Sequence, residues 1–182
     1  MFLPKYIDAF FDNASFTNGK SLVSETHTLY SASETKYSEP FIFSPLVILS
    51  LISLIIIWLT LKNYKNNSRS KWLDTAIFST TSIVGILLLL LWFATDHSGT
   101  ANNYNLLWAF PFNMILAIGL LKTTKKKWML GYVKFLILLL CLLTLHWIVG
   151  VQMFAIGLIP LLIALTMHYL FLANHIKLKG QD

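Results

Sequence analysis

The chain has 182 residues, of which 56% are hydrophobic and 12% are charged, and its formal net charge is +6. This composition excludes an ordinary soluble protein and leaves room for one helical bundle in a membrane plus an exposed tail. The positive charge needs no nucleic-acid partner, because the basic residues fall in short loops between apolar runs. The single cysteine, Cys141, excludes an intramolecular disulfide framework, and we interpret it as a small packing residue.

Long apolar runs predict transmembrane helices, since about 20 apolar residues are needed to cross a hydrocarbon core of about 30 Å. Four or five runs pass this criterion, and five is our count. Pro111 and Asn113 in the third run leave three alternatives: a tilted span, a broken span or a re-entrant segment. Pro160 predicts a kink in the fifth. The five predicted spans cover residues 41–61, 75–95, 106–121, 129–151 and 155–172.

Basic residues cluster after the first, third and fifth spans, which predicts that these loops are cytoplasmic. Six of the eight acidic residues lie on the other side. We therefore predict an all-α integral membrane bundle of about five helices in the bacterial inner membrane, with its N-terminus outside and its C-terminus cytoplasmic. Residues 1–40 would be a periplasmic tail, 41–176 the membrane domain and 177–182 a cytoplasmic tail. The basic positions are Lys62, Lys65, Arg69 and Lys71; Lys122, Lys125, Lys126 and Lys127; Lys177 and Lys179.

The predicted periplasmic tail carries no pattern of a secretory signal peptide, although it is expected to lie outside. Two explanations remain: the tail is translocated with the first span, or the chain is the C-terminal part of a longer protein. Apolar residues between Pro4 and Phe16 are consistent with a short amphipathic helix on the membrane or on a partner. The composition of Ser21 to Glu39 is equally consistent with disorder.

The segment between spans two and three is the most polar and aromatic part of the chain, and we expect any chemistry there. One interpretation makes His97 a general acid/base or a headgroup ligand, oriented by Asp96 or an asparagine. In the other, which we favour, the polar residues cap helix ends while the tryptophans anchor at the interface. The candidate lipid- or partner-binding residues are Trp92, Asn102, Asn103, Asn105 and Trp108.

Two further histidines lie within predicted spans. His146 is about 7 Å below the outer end of span four, close enough to reach Asp96 and His97, but a bond to a neighbouring helix is the interpretation we favour. His168 is predicted to be interfacial. A metal site built from Asp96, His97 and His146 is only weakly indicated, so we predict neither a metal nor a cofactor.

The predicted spans contain no acidic residue, and no internal repeat is evident, which argues against an ion-coupled transporter. Span two carries small and hydroxyl residues at helical spacing, typical of a helix that packs closely against its neighbours. These residues are Thr75, Ser79, Ser82 and Gly85.

Residues 93–112 read FATDHSGTANNYNLLWAFPF and follow a leucine-rich span that ends in Trp92. Together with the opening Phe2-Leu3-Pro4-Lys5-Tyr6, they resemble the membrane domain of bacterial Lnb-type lipoprotein N-acyltransferases. In that family a periplasmic papain-like domain with a Cys-His pair precedes a bundle of about five helices. The resemblance covers nearly the whole chain.

The resemblance implies transfer of an acyl chain at the outer leaflet by a thiolate on the aqueous side. Because Cys141 lies within the bilayer, the family's catalytic cysteine has no counterpart here. We therefore expect a membrane anchor that presents lipid and is catalytically incomplete, working with a periplasmic catalytic domain or a lipoprotein. The alternatives are a stand-alone scaffold or assembly factor that binds a partner through its outer turn, and a histidine-dependent enzyme built on His97 and His146.

Overall fold

The computed structural model describes residues 10–25, 27, 41–95, 102–122 and 127–178, in two units that divide after Ser38. In the first unit, residues 10–12 form a helical turn, and Ser15 and Ser21 pair in an isolated antiparallel bridge. The helix expected to reach Phe16 therefore ends at Asp12, because the chain turns back on itself there. Its predicted start, and most of the predicted disorder, lie outside the described residues.

All the regular secondary structure in the described part of the second unit is helical. Four helices are long and apolar enough to cross a membrane: α1 (Pro45–Lys65), α2 (Lys71–Phe93), α4 (Lys127–Val149) and α5 (Leu158–Leu178). A fifth helix, α3 (Asn113–Leu121), has only nine residues. Short 3₁₀ helices cover Phe41–Phe43 and Tyr104–Leu107. The prediction of an all-helical, multi-pass membrane protein is thus confirmed for the part that the structure describes.

Local sequence signals explain where the long helices begin and end. α1 begins after Ser44, whose Oγ accepts a hydrogen bond from the Val47 amide at 3.4 Å, and Pro45 occupies its first turn. α4 ends at Val149, and the next residue, Gly150, adopts a positive φ of 78°. There the Val151 amide donates to the His146 carbonyl at 3.0 Å, the bond that closes a Schellman cap.

The third predicted span is broken. The 3₁₀ helix at Tyr104–Leu107 is followed by a turn at Pro111 and then by α3, and this whole stretch is called the broken segment below. One end is fixed by the Tyr104 amide, which donates to Oε1 of Gln152 at 2.8 Å, beyond the C-terminus of α4. At the other end Arg69 donates to the Leu120 carbonyl at 2.7 Å, just before α2 begins. The segment therefore traverses the bundle from end to end.

α1 packs along α5, α5 along α4, and α2 along α3. Phe78 of α2 stacks on Tyr169 of α5 with ring centroids 5.4 Å apart, and both side chains are buried.

The order and direction of the helices define two ends of the bundle. The basic end holds the C-termini of α1, α3 and α5 and the N-termini of α2 and α4, and the asparagine end holds Asn102, Asn103 and Asn105.

Candidate functional site

The predicted functional turn at the asparagine end is only partly described, since Asp96 and His97 lie outside the described residues. Asn103 caps the 3₁₀ helix, because its Oδ1 accepts from the Asn105 amide at 3.1 Å and from Asn105 Nδ2 at 2.8 Å. Oδ1 of Asn105 in turn accepts from Nε1 of Trp108 at 2.8 Å. Asn102 adopts a positive φ of 54°, a conformation that asparagine tolerates well. These contacts close a turn.

His146 lies beside this turn. Its ring centroid is 4.9 Å from that of Tyr104, and its Nδ1 donates to the Leu142 carbonyl at 2.8 Å. Trp92 is half-buried and stacks on Phe93 at 5.2 Å. Binding of lipid or a partner by Trp92, the asparagines and Trp108 stays a prediction, and so does a catalytic role for Asp96, His97 or His146.

The densest group of polar side chains lies near the basic end, which the sequence did not indicate. Nε2 of His168 is 3.0 Å from Oδ1 of Asp74, and NH1 of Arg69 is 3.2 Å from Oδ2 of the same carboxylate. Nδ1 of His168 lies 3.0 Å from Oγ1 of Thr60, and Ser70 donates to Oδ1 of Asn63 at 2.9 Å. We call these six residues the polar cluster: Thr60, Asn63, Arg69, Ser70, Asp74 and His168.

Helix geometry explains how these residues meet. Thr60 and Asn63 are three residues apart on α1 and so share a face. Asp74 lies in the first turn of α2, where the positive end of the helix dipole favours a carboxylate. His168 is in α5, and Arg69 comes from the loop before α2 and also reaches the last turn of α3. The cluster thus joins four helices.

Nε2 of His168 contacts the carboxylate of Asp74, and Nδ1 shares a hydrogen bond with the Thr60 hydroxyl. The same carboxylate contacts the guanidinium of Arg69. A buried ion pair of this kind contributes little net stability, but removing one partner costs about 3–5 kcal/mol because the other charge stays buried.

The order carboxylate, imidazole, hydroxyl is also that of a hydrolase triad, but the surroundings do not suit that chemistry. Asp74 and His168 have no exposed surface, and Thr60 is 3% exposed. A nucleophile needs space for a reacting carbonyl beside it. Neither of the two cavities described below is lined by a residue of this triad. The arrangement connects α1, α2 and α5.

The polar cluster corrects two expectations from the sequence. The second span was expected to begin at Thr75 and to contain no acid, whereas α2 begins at Lys71 and buries Asp74 completely. His168 was expected at the interface, whereas its side chain is fully buried. The available signal was a histidine within a predicted span and an acid directly before another, because ionisable residues at such positions usually find a buried partner.

A second polar group holds the broken segment in place at a deeper level. Nδ2 of Asn113 donates to Oγ1 of Thr81 at 2.8 Å, and the Tyr132 hydroxyl donates to Oδ1 of Asn113 at 3.1 Å. The hydroxyl of Ser82 donates to the Pro111 carbonyl. A Cβ on Gly85 would lie only 2.1 Å from the Ala109 carbonyl oxygen, so the close approach requires glycine. The predicted packing role of Ser82 and Gly85 is confirmed.

Two cavities open on the sides of the bundle. The first, of about 560 Å³, is a groove between the second half of α4 and the first half of α5, toward the asparagine end. It is lined by Leu140, Thr144, Trp147, Ile159, Ile163 and Thr166, among others. The second, of about 390 Å³, is a cleft between α1 and α2 whose floor is Leu161 and Leu165 of α5. Both walls are almost wholly apolar, as suits contact with hydrocarbon.

No three metal-ligating side chains come together within residues 10–25, 27, 41–95, 102–122 and 127–178. Asp74 and His168 form a pair, and their remaining partners are a guanidinium and a hydroxyl.

The model of the Lnb transmembrane domain family matches residues 36–179. The chain belongs to this family. The Lnb match starts just before the 3₁₀ helix at Phe41 and extends to the end of α5, so it includes both the polar cluster and the broken segment. No curated protein and no solved structure matched the chain.

Proposed function

We propose that this Lnb transmembrane domain anchors an Lnb-like lipoprotein N-acyltransferase and presents lipid to it. The observation that carries the proposal is the family match over residues 36–179. The catalytic Cys-His domain would be supplied outside the membrane bundle, either in a longer polypeptide or by a separate protein. The position of Cys141 supports a catalytic cysteine outside the bundle, because Cys141 lies in the middle of α4. A nucleophilic thiolate needs an aqueous, polar setting.

The groove between α4 and α5 is the surface that we assign to lipid presentation. It is open at the side of the bundle and lies toward the asparagine end, where the turn carries its hydrogen-bonding side chains. An acyl chain in the groove would place its ester and headgroup at that end. The acyl donor or the lipoprotein would then meet the catalytic domain near Tyr104, His146 and Gln152.

The distribution of charges supports the proposed orientation in the membrane. The basic end carries the lysines and arginines between the helices, and the positive-inside rule assigns it to the cytoplasm. The asparagine end and the groove beside it then face the outer leaflet of the inner membrane. The family resemblance implies that acyl transfer to lipoproteins takes place at this outer leaflet.

The mass of the polypeptide in native membranes tests the proposal, since the chain described here accounts for 20.8 kDa. An antibody to the C-terminal region near Lys177 should detect either a much larger band or a band of this mass that co-purifies with a secreted Cys-His protein. In both cases deleting the segment for α1 to α5 should abolish N-acylation of lipoproteins, read by mass spectrometry of their N-terminal peptides. A free protein of the chain's own mass, whose deletion leaves N-acylation intact, would instead support a stand-alone scaffold.

A further inference from the structure

The side chains of the bundle do not fill the cleft between α1 and α2. α1 and α2 are consecutive and joined by five residues, yet α1 packs along α5 and α2 along α3. Small side chains on α2 widen the space between them, since Ala76, Thr80 and Val84 follow one another at four-residue spacing along its wall. The result is a cleft of about 390 Å³ that opens sideways.

The dimensions of the cleft suit one hydrocarbon chain. Its α2 wall runs from Trp72 to Val84, which at 1.5 Å per residue is about 18 Å. This is slightly more than one leaflet of a hydrocarbon core that is about 30 Å thick. Only an apolar occupant is stable there, because the walls expose almost no polar surface.

Two lysines lie in the last turn of α1, beyond the residues of α1 that line the cleft. Trp72, in the first turn of α2, lines the cleft near the basic end. Lys62 is seven residues after Ile55, which lines the cleft, and therefore lies on the same face of α1. Lys62 lies over the ring of Trp58, 5.4 Å from its centroid, and Lys65 follows one turn later. Within the described residues, the ion pairs at the basic end involve one acid, Asp74, and its partners are Arg69 and His168. None of these ion pairs includes Lys62 or Lys65. An anion is therefore the complementary ligand for these two lysines.

We propose that the α1–α2 cleft binds a single anionic phospholipid, with one acyl chain between the helices and the phosphate at Lys62 and Lys65. The phosphate would lie at the basic end of the bundle, opposite the end assigned to acyl transfer, while the cleft itself extends to Leu49 and Trp108. The proposal goes beyond the proposed function. The bound lipid fills the space that α1 and α2 leave open, directly beside Leu73 and Ile56 of the core. It is a permanent part of the folded domain and not a substrate.

Native mass spectrometry of the full chain tests this, with phosphatidylglycerol and phosphatidylcholine of identical acyl chains added to the detergent-solubilised protein. The wild-type protein should retain one phosphatidylglycerol per monomer. Ala76→Phe places a ring in the cleft and should abolish retention. Ile83→Phe, on an exposed face of the same helix outside the cleft, should not. Equal melting temperatures of the two variants show that any loss reflects the site and not misfolding.

The charge variants supply a second readout. Lys62→Gln and Lys65→Gln should each lower the preference for phosphatidylglycerol over phosphatidylcholine by about fivefold. Lys71→Gln removes the same charge from the same end, but its ammonium points to the Leu121 carbonyl on the other side of α2, so the preference should persist. Undiminished retention by Ala76→Phe, or equal retention of both lipids by the wild-type protein, overturns the proposal. A dimer that Ala76→Phe converts to a monomer overturns it in favour of a second copy of the chain.

Discussion

Nε2 of His168 lies 3.0 Å from Oδ1 of Asp74, and this contact connects α5 to the first turn of α2. Neither side chain has any exposed surface. α2 packs along the broken segment and α1 along α5, so the contact joins the two packed layers at the basic end. The stack of Phe78 on Tyr169 joins them again, one turn deeper. The polar cluster therefore determines how far α2 stands from α1 and α5.

Asp74→Asn should destabilise the domain strongly. The amide keeps the shape of the carboxylate but leaves the buried guanidinium of Arg69 without its counter-charge. We expect a loss of about 3–5 kcal/mol, measured as a lower melting temperature in detergent. Thr75→Ala is the matched control, because the Thr75 hydroxyl bonds only to its own helix, at the Lys71 carbonyl. Equal melting temperatures for Asp74→Asn and the wild-type protein would show that the cluster does not hold the helices.

Arg69→Lys should lower the stability by less, about 1–3 kcal/mol, because the positive charge is kept. The guanidinium contacts the Asp74 carboxylate through one nitrogen and the Leu120 carbonyl through another. A lysine ammonium is a single point and cannot reach both partners. The loss should appear chiefly at α3, as faster hydrogen exchange of the Leu120 and Leu121 amides. Lys71→Arg, at an exposed position nearby, can keep the hydrogen bond to the Leu121 carbonyl and should leave both the stability and the exchange unchanged.

Gly85→Ala and Gly131→Ala should have opposite effects. A Cβ at position 85 would meet the Ala109 carbonyl oxygen at 2.1 Å and the Pro111 nitrogen at 2.8 Å, so the broken segment must move. We expect a loss of at least about 1–3 kcal/mol. Gly131 has open space around its Cβ position, and alanine there should gain about 0.5–1 kcal/mol. Thermal unfolding of both variants measures the difference, and a stabilised Gly85→Ala variant would contradict the packing of the broken segment.

Ile163→Trp tests the lipid-presenting groove and depends on the proposed function. The indole would fill part of the groove between α4 and α5, and we expect N-acylation of lipoproteins to fall by about tenfold or more because the acyl chain is displaced. Leu170→Trp is a close control, since Ile163 and Leu170 are 52% and 53% exposed and Leu170 lies outside the groove. The assay is mass spectrometry of lipoprotein N-terminal peptides, with protein levels matched. Equal activity of the two variants would remove the groove from the reaction.

The apolar runs predicted the four long helices because hydrophobic length alone decides whether a segment can span a membrane. Pro111 indicated the break in the third span, but it left three geometries open. The contacts of Tyr104 with Gln152 and of Arg69 with Leu120 decide among them, and they depend on how the helices pack. No spacing along the chain encodes such contacts.

The polar cluster was not predicted, because its contacts also depend on how the helices pack. A hydropathy window ends at a charged residue, so Asp74 was placed in a loop although it lies within α2. The depth of His168 was judged from its distance to the end of its own helix, while its environment is set by α1 and α2. Partners that lie far apart in the sequence determine whether an ionisable residue is buried or interfacial.

The brevity of α3 has a consequence for the assembly of the protein in the cell. Nine residues of helix extend only about 14 Å, so this segment is too short to cross the bilayer alone during insertion. Asn113 at its start would also face hydrocarbon without Thr81 and Tyr132. The segment can settle only after α2 and α4 are both in the membrane to receive it. A ribosome stalled before α4 emerges should therefore hold a chain whose third crossing is still outside, accessible to water-soluble labels at positions that are sealed in the finished bundle.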